Sequence, residues 1–235
     1  MYRILRKVAN NQLIILNEFR KSKTTLKSWR HLYFFEIIES FWNDGDFALS
    51  LGKNKHSAYA IYPARTMMEK LLKIEWVSKM KAQEEQDIVA KKELLKSCLI
   101  SYRKDIDNGR TGADFKKHYN EINDIGLPAI DAVKMKDLEA FPSYEEMCIK
   151  SRLPGSSQLY YNYRMLSGLP HGNLLSVFMK QHKQGDGNDE YIQAMVFINR
   201  FSMDMLKVTD FNIGYKTKKE IKDAEERAKT IINKK

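Results

Sequence analysis

The sequence predicts an all-α protein, folded as a single helical bundle with an irregular helical insertion in the middle. Apolar residues recur at three- and four-residue spacing along almost the whole chain, which is the pattern of amphipathic helices. No segment alternates apolar and polar residues over the length of a strand. The 235 residues suffice for one large domain with a substantial core. We therefore expect one domain over 1–235, with 107–158 as an insertion or cap and 216–235 as an exposed terminal helix.

The first half of the chain is predicted to form four helices. The first starts near Ile4, and the second lies over 24–42, with an extension past Gly45 to Leu51 left open. The apolar face of this second helix consists of Leu26, Trp29, Leu32, Tyr33 and Ile37. The third and fourth helices cover 56–80 and 84–106. In the third, Pro63 either kinks the helix or lies in its first turn.

Glycine and proline interrupt the helical pattern in the second half of the chain. Short helices joined by turns are therefore expected over 113–124, 128–141 and 143–152. Beyond residue 172, helices are predicted over 173–182, 189–211 and 217–235.

The net charge of +10 is concentrated at the two ends of the sequence. Residues 1–30 carry eight Lys or Arg against one Glu, and residues 216–235 carry eight against four acidic residues. Basic ends suit contact with nucleic acid, and they equally suit helices that only keep a protein soluble. No apolar run approaches the roughly 20 residues of a membrane helix. Cys98 and Cys148 lack disulfide or zinc spacing. We expect a cytoplasmic protein with reduced thiols, no membrane partner, no metal and no cofactor.

The segment YYNYRMLSGLPHG, which starts at Tyr160, holds the residues with the clearest chemistry. Arg164 precedes His171 by seven positions, so on a helix both share a face with Tyr160 and Ser167. Pro170 predicts a kink or break directly before the histidine. Arginine offers a planar fork to phosphate oxygens, and histidine can act as base or acid. Metal-free RNA cleavage by attack of the ribose 2′-OH on the adjacent phosphate needs such groups.

This stretch resembles the signature of the HEPN superfamily, an arginine followed after four to six residues by a histidine within an all-α bundle. The segment from Tyr163 to His171 also resembles a prokaryotic HEPN-like subgroup, in which a YR-x-LS-x-x-x-H motif follows an R-x-x-x-E helix. Here the earlier pair is Arg65 and Glu69, in RTMME. The resemblance covers 56–80 and 160–210 best.

The resemblance implies a metal-independent ribonuclease that acts as a dimer, with two motifs meeting at a composite site, in a toxin or antiviral-defence setting. It implies that Arg164 binds phosphate and that His171 is the acid or base. The residues expected to support them or to contact substrate are Tyr160, Tyr163, Ser167, Arg65 and Glu69.

Three functions stay open on the sequence. The first is this endoribonuclease, as a homodimer or a heteromer with a defence or antitoxin partner. The second is a catalytically inert HEPN-like module that binds nucleic acid, a nucleotide or a partner protein, and the third is a structural bundle. Structural roles for the residues also stay open, because Arg164 could pair with Glu69 between helices. Arg65 and Glu69 could be an ordinary i,i+4 ion pair, and the eleven methionines could fill the core.

Overall fold

The computed structural model describes residues 28–51, 57–109, 134–168 and 188–208, and every regular element in these ranges is helical. The all-α prediction is confirmed, and no strand occurs in these ranges. The six α-helices are α1 (Trp29–Ser50), α2 (Ile61–Ser78), α3 (Gln83–Asp107), α4 (Tyr144–Ile149), α5 (Ser156–Gly168) and α6 (Asn188–Val208), and two 3₁₀ turns cover Ser57–Ala60 and Met135–Leu138.

Several predictions fall outside the described residues. They are the helices near the start of the chain and over 113–124, 173–182 and 217–235, together with the break at Pro170.

Helix α1 passes through Gly45 without interruption and ends at Ser50, so the longer form of the predicted second helix is the one observed. Its buried face agrees with the prediction at Tyr33 and differs from it at Ile37. Ile37 is only half-buried, whereas Ile38 and Phe41 are fully enclosed. The prediction was wrong by one residue because the sequence FFEIIE offers paired apolar residues, and either member of a pair fits a helical period.

Helix α2 is the central helix of its part of the protein, since it packs against α4, α5 and α6. Pro63 lies in its first turn, where a missing backbone N–H leaves no intrahelical hydrogen bond unmade. The helix buries apolar side chains on more than one face because it has neighbours on several sides. Its enclosed core residues include Ala64, Met67, Met68, Leu71, Leu72 and Ile74. Methionine as core filler is thus confirmed at Met67 and Met68.

The chain divides into two compact units by contacts. One contains the described residues of 34–79 and 142–208, and the other contains those of 28–33 and 80–141. The predicted insertion is therefore split, since its described parts fall in both units. A single domain over the whole chain stays a prediction, because a unit defined by contacts need not fold alone.

The unit that contains α3 has an apolar cluster of its own. Its members are Leu95, Leu99, Tyr102 and Leu138, with Trp29, Cys98 and Met135 packed against them. The helix predicted over 128–141 is wrong in its described part, where residues 134–141 form only a 3₁₀ turn. That turn suffices to place Leu138 in the cluster, so no longer helix is needed to bury it.

The predicted short helix over 143–152 is confirmed as α4, with Ser143 as its N-cap accepting a hydrogen bond from the Glu146 N–H at 3.2 Å. Both cysteines are free, as expected. Within the described part of the chain, none of the helices combines the length and apolar character needed to cross a bilayer.

Candidate functional site

Helix α5 carries the arginine of the Arg–His stretch. Buried Leu159 and Leu166 fix one face of this helix against the core, and Arg164 lies on an exposed face. Among the described residues, nothing forms a hydrogen bond or an ion pair with its guanidinium group. An arginine that is exposed and not engaged by a carboxylate can offer its planar fork to an anion from solution.

Tyr160 lies one helical turn before Arg164 and is half-buried. Burial raises the pKa of its phenol. The charge of the Glu145 carboxylate and a hydrogen bond to it raise the pKa further, while the positive charge of Arg164 opposes them. The phenol directs its proton toward the Glu145 carboxylate. To donate to a phosphate, as the sequence predicts, Tyr160 would have to exchange that carboxylate for the substrate.

Arg65, Glu69 and Tyr163 lie together where α2 faces α5. The Arg65 Nε lies 3.0 Å from a Glu69 carboxylate oxygen, and its guanidinium carbon lies 5.8 Å from the centre of the Tyr163 ring. The Tyr163 ring in turn packs on Tyr144 of α4, with 5.3 Å between ring centres. Burial lowers the pKa of Arg65, but Glu69 and then Tyr163 outweigh this and leave it raised. The Arg65 cation thus joins α2 to α5, and the contact between the Tyr163 and Tyr144 rings joins α5 to α4.

The structure thus brings some of the predicted site residues together and leaves others untested. Glu69 pairs with Arg65, so the i,i+4 ion pair between these two residues is confirmed, and their support of the site stays a prediction. Among the described residues, the ion-pair partner of Glu69 is Arg65 and not Arg164. His171 and the side chain of Ser167 lie outside the described residues, and a cleft shared by Arg164 and His171 stays a prediction.

A second polar centre, which the sequence analysis missed, surrounds Glu75 of α2. This carboxylate is 4% exposed, yet it accepts hydrogen bonds from the Ser151 hydroxyl at 2.8 Å and the Arg152 backbone N–H at 2.6 Å. Lys79 completes the set, because its Nζ lies 2.8 Å from the Glu75 Oε1. Glu75 falls on the same helical face as Leu71 and Leu72. A carboxylate in an otherwise apolar stripe was therefore the sequence signal that could have indicated a buried polar centre.

A pocket of about 400 Å³ opens beside Glu75. Arg152 and Lys207 contribute cations to its wall, Asp204 contributes a carboxylate 3.8 Å from the Arg200 Nε, and Leu153, Pro154 and Val208 contribute apolar surface. Together with Glu75 and Lys79, these residues line the pocket with side chains of both charge signs.

No three His, Cys, Asp or Glu side chains among the described residues cluster in a way that could hold a metal ion. In comparisons with known proteins, no family model, no curated protein and no solved structure matches this chain. The likeness to the HEPN superfamily remains an interpretation of the Arg–His stretch and of the RTMME helix.

Proposed function

We propose that the protein is a metal-independent endoribonuclease of the HEPN type, which cleaves RNA by attack of the ribose 2′-OH on the adjacent phosphate. The observation that carries this proposal is the state of Arg164. Its guanidinium is exposed on α5, directly after a half-buried tyrosine, and is not engaged by any described carboxylate. Most arginines held for structural reasons have an acidic or carbonyl partner, so an unengaged one is available for phosphate.

In the proposed reaction, Arg164 binds the phosphate and stabilises the negative charge that develops on it. His171 takes the proton from the 2′-OH or gives one to the leaving 5′-oxygen. Tyr160 adds a hydrogen-bond donor beside the arginine, because a tyrosine phenol is protonated at neutral pH.

The neighbouring cluster supports the proposal by holding α5 in place. Arg65 spans from Glu69 to the ring of Tyr163, one residue before Arg164. A catalytic arginine needs a fixed backbone, since small displacements of a phosphate clamp reduce the rate strongly. In this proposal Arg65 and Glu69 position the site and do not touch the reacting atoms.

We further propose that two copies of the site meet in a homodimer or in a heteromer with a related bundle. One histidine supplies a single acid or base, whereas in-line attack uses both. A two-fold axis would supply the second one. A cytoplasmic toxin or an antiviral-defence effector, paired with an antitoxin or defence partner, fits such an activity.

The test is RNA cleavage by the purified protein in the presence of EDTA. Wild type should cleave a labelled RNA but not the same strand with every 2′-OH methylated, because the attacking hydroxyl is then blocked. Arg164→Ala and His171→Ala should each lower the rate at least about 100-fold, the usual scale for loss of an acid–base or charge-stabilising group. Arg152→Ala is the matched control, since Arg152 is also an exposed arginine and lies on the segment before α5.

Cleavage that survives both substitutions, or that Arg152→Ala abolishes equally, would contradict the assignment of the site. If the wild type binds RNA, a nucleotide or a protein but cleaves no RNA, the inert HEPN-like module is the better description.

A further inference from the structure

We propose that Tyr161 is a stacking platform for an unpaired base, so that the site on α5 takes single-stranded rather than duplex RNA. This inference rests on the proposed ribonuclease function, because it concerns the strand whose phosphate Arg164 would bind. It adds a residue that determines the substrate class and that takes no part in the chemical step.

The exposure of Tyr161 is the first observation. Its side chain is 71% exposed, the highest value among the large apolar side chains of the described residues. Its neighbours on the same helix differ, since Tyr160 and Tyr163 are half-buried and have contacts with Glu145 and with Arg65. Tyr161 has no hydrogen bond or ring contact among the described residues, so no such contact within the described part of the chain accounts for this aromatic side chain.

The second observation concerns the exposed polar residues that lie beside Tyr161 on α5. Arg164 is three residues further along α5, and residues at this spacing are neighbours on a helix surface, with Cβ atoms about 5–6 Å apart. Gln158, three residues earlier, is also exposed. The exposed stripe of α5 therefore presents an amide, an aromatic ring and a guanidinium in order.

This order of groups suits a nucleic-acid strand better than a protein surface. The guanidinium matches a phosphate, and an aromatic ring within one nucleotide of it can stack on any base. The side-chain amide can donate to or accept from a base edge. The phosphates of the strand supply the negative charge that complements the exposed Arg164 guanidinium.

Stacking selects single strands because a base inside a duplex already has both faces covered by its neighbours. A ring on the surface of a helix reaches a base face only where the base is unpaired, in a loop, a bulge or a free strand. A duplex would retain the contact between Arg164 and a phosphate and would lose the contact with Tyr161.

The experiment measures binding with the 2′-O-methylated strand, which separates binding from cleavage. A fluorescently labelled single strand of mixed sequence and the same strand in a duplex are titrated with the full chain, and anisotropy is recorded. Wild type should bind the single strand more tightly than the duplex. Tyr161→Ala should weaken single-strand binding roughly 5- to 150-fold, the range for loss of one stacked base, and should leave duplex binding unchanged.

Three further variants test whether stacking is the cause. Tyr161→Trp should retain single-strand binding because it keeps an aromatic face, and Tyr161→Leu should lose it although it keeps an apolar side chain. Phe47→Ala is the matched control, since Phe47 is an aromatic residue of α1 that is 57% exposed, and it should bind as the wild type does. Thermal unfolding midpoints show that each variant is folded.

Equal binding by wild type and Tyr161→Ala, retention of binding by Tyr161→Leu, or equal affinity of the wild type for duplex and single strand would each overturn the inference. Loss of a protein partner in Tyr161→Ala with unchanged RNA binding would also overturn it. If the binding results are as expected but wild type leaves unmodified RNA intact, the stacking role of Tyr161 is supported and the ribonuclease proposal fails. If wild type cleaves RNA but Tyr161→Ala binds the single strand as wild type does, the ribonuclease proposal is supported and the stacking role of Tyr161 fails.

Discussion

The carboxylate of Glu75 and the hydroxyl of Ser151 lie 2.8 Å apart, although 76 residues separate them in the sequence. The same carboxylate binds the N–H of Arg152, and the Ser151 oxygen accepts a hydrogen bond from the N–H of Leu153 at 3.1 Å. One buried charge on α2 thereby fixes the backbone that leads into α5, the helix of the candidate site.

Glu75→Gln should lower the free energy of unfolding by about 1–3 kcal/mol, since a buried acceptor that loses its charge leaves Lys79 and two donors poorly matched. Urea unfolding followed by circular dichroism measures the change. Glu139→Gln, at an exposed position, is the control and should change the value by less than about 0.5 kcal/mol. A Glu75→Gln variant as stable as this control would show that the hydrogen bonds contribute little net stability.

Stability at alkaline pH should depend on Cys148. Burial, and then the charge of Glu75, raise the pKa of this thiol to about 11 from an ordinary value of 9.0. In the unfolded chain the thiol ionises near pH 9, whereas in the folded protein it holds its proton until about pH 11. Because the folded state then binds more protons, stability should fall as the pH rises from 9 to 11.

The measurement for this prediction is the urea midpoint at pH 8 and at pH 10.5. Cys148→Ala should show a smaller loss between the two pH values than wild type, because the titrating group is gone. Cys98→Ala, which removes a half-buried thiol from α3, should retain the wild-type loss. Identical pH dependence in all three proteins would mean that other groups account for the effect.

Gly155→Ala should destabilise the protein more than Gly109→Ala. Both glycines have positive φ, +69° and +71°, so each substitution costs about 1–2 kcal/mol for the left-handed backbone. At Gly155 the added Cβ would also lie 2.8 Å from the Arg200 Nη2, the atom that donates to the Pro154 carbonyl, whereas nothing lies within 4 Å at Gly109. Displacing Arg200 should add about 0.5–1.5 kcal/mol.

The Arg200→Ala background separates these two contributions. With the guanidinium removed, the two glycine substitutions should have equal effects on the free energy of unfolding. A difference that persists in that background would show that the cause is backbone strain and not Arg200.

Lys70 and Asp44 should show strong energetic coupling in a double-mutant cycle. The Lys70 Nζ lies 2.5 Å from the Asp44 carboxylate and also donates to the Ser40 hydroxyl at 2.6 Å. The Lys70 and Asp44 side chains are 19% and 25% exposed, which reduces screening by water. We expect a coupling free energy of about 1 kcal/mol from the two alanine variants and their combination.

The comparison pair for this cycle is Lys150 and Glu146, which are only 2.7 Å apart but 60% and 45% exposed. Its coupling should be about 0.3 kcal/mol and should decrease further in 1 M salt. Equal coupling in the two pairs would mean that burial does not decide their strength.

Periodicity predicted the existence of the described helices well and their orientations less well. The passage of α1 through Gly45 and the place of Pro63 in the first turn of α2 follow from local rules about helices. The inward face of α1 did not follow, because FFEIIE allows two faces and tertiary packing chose Ile38 over Ile37.

The polar centres were harder to predict because they depend on residues far apart in the sequence. Arg65 and Glu69 could be paired from their spacing alone, but the ring of Tyr163 that completes their cluster lies about a hundred residues away. Glu75 carried only a weak signal, since its partners at 151 and 152 belong to a segment with no motif. The exposure of Arg164 could not be predicted, because an arginine of the same spacing could equally have faced a carboxylate.

Glu75 and Lys79 contact residues 150–152, and these contacts bear on how long the intervening stretch of chain must be. The Lys79 Nζ donates to the Lys150 carbonyl at 2.7 Å, so one unit holds both ends of the intervening segment, which leaves it after residue 79 and returns to it at residue 142. The entropy of closing such a loop changes only with the logarithm of its length. The unit that carries Arg164 therefore tolerates changes of length within 80–141 that leave α3 and the turn at Met135–Leu138 intact, and variation of the protein in length should concentrate between these two elements.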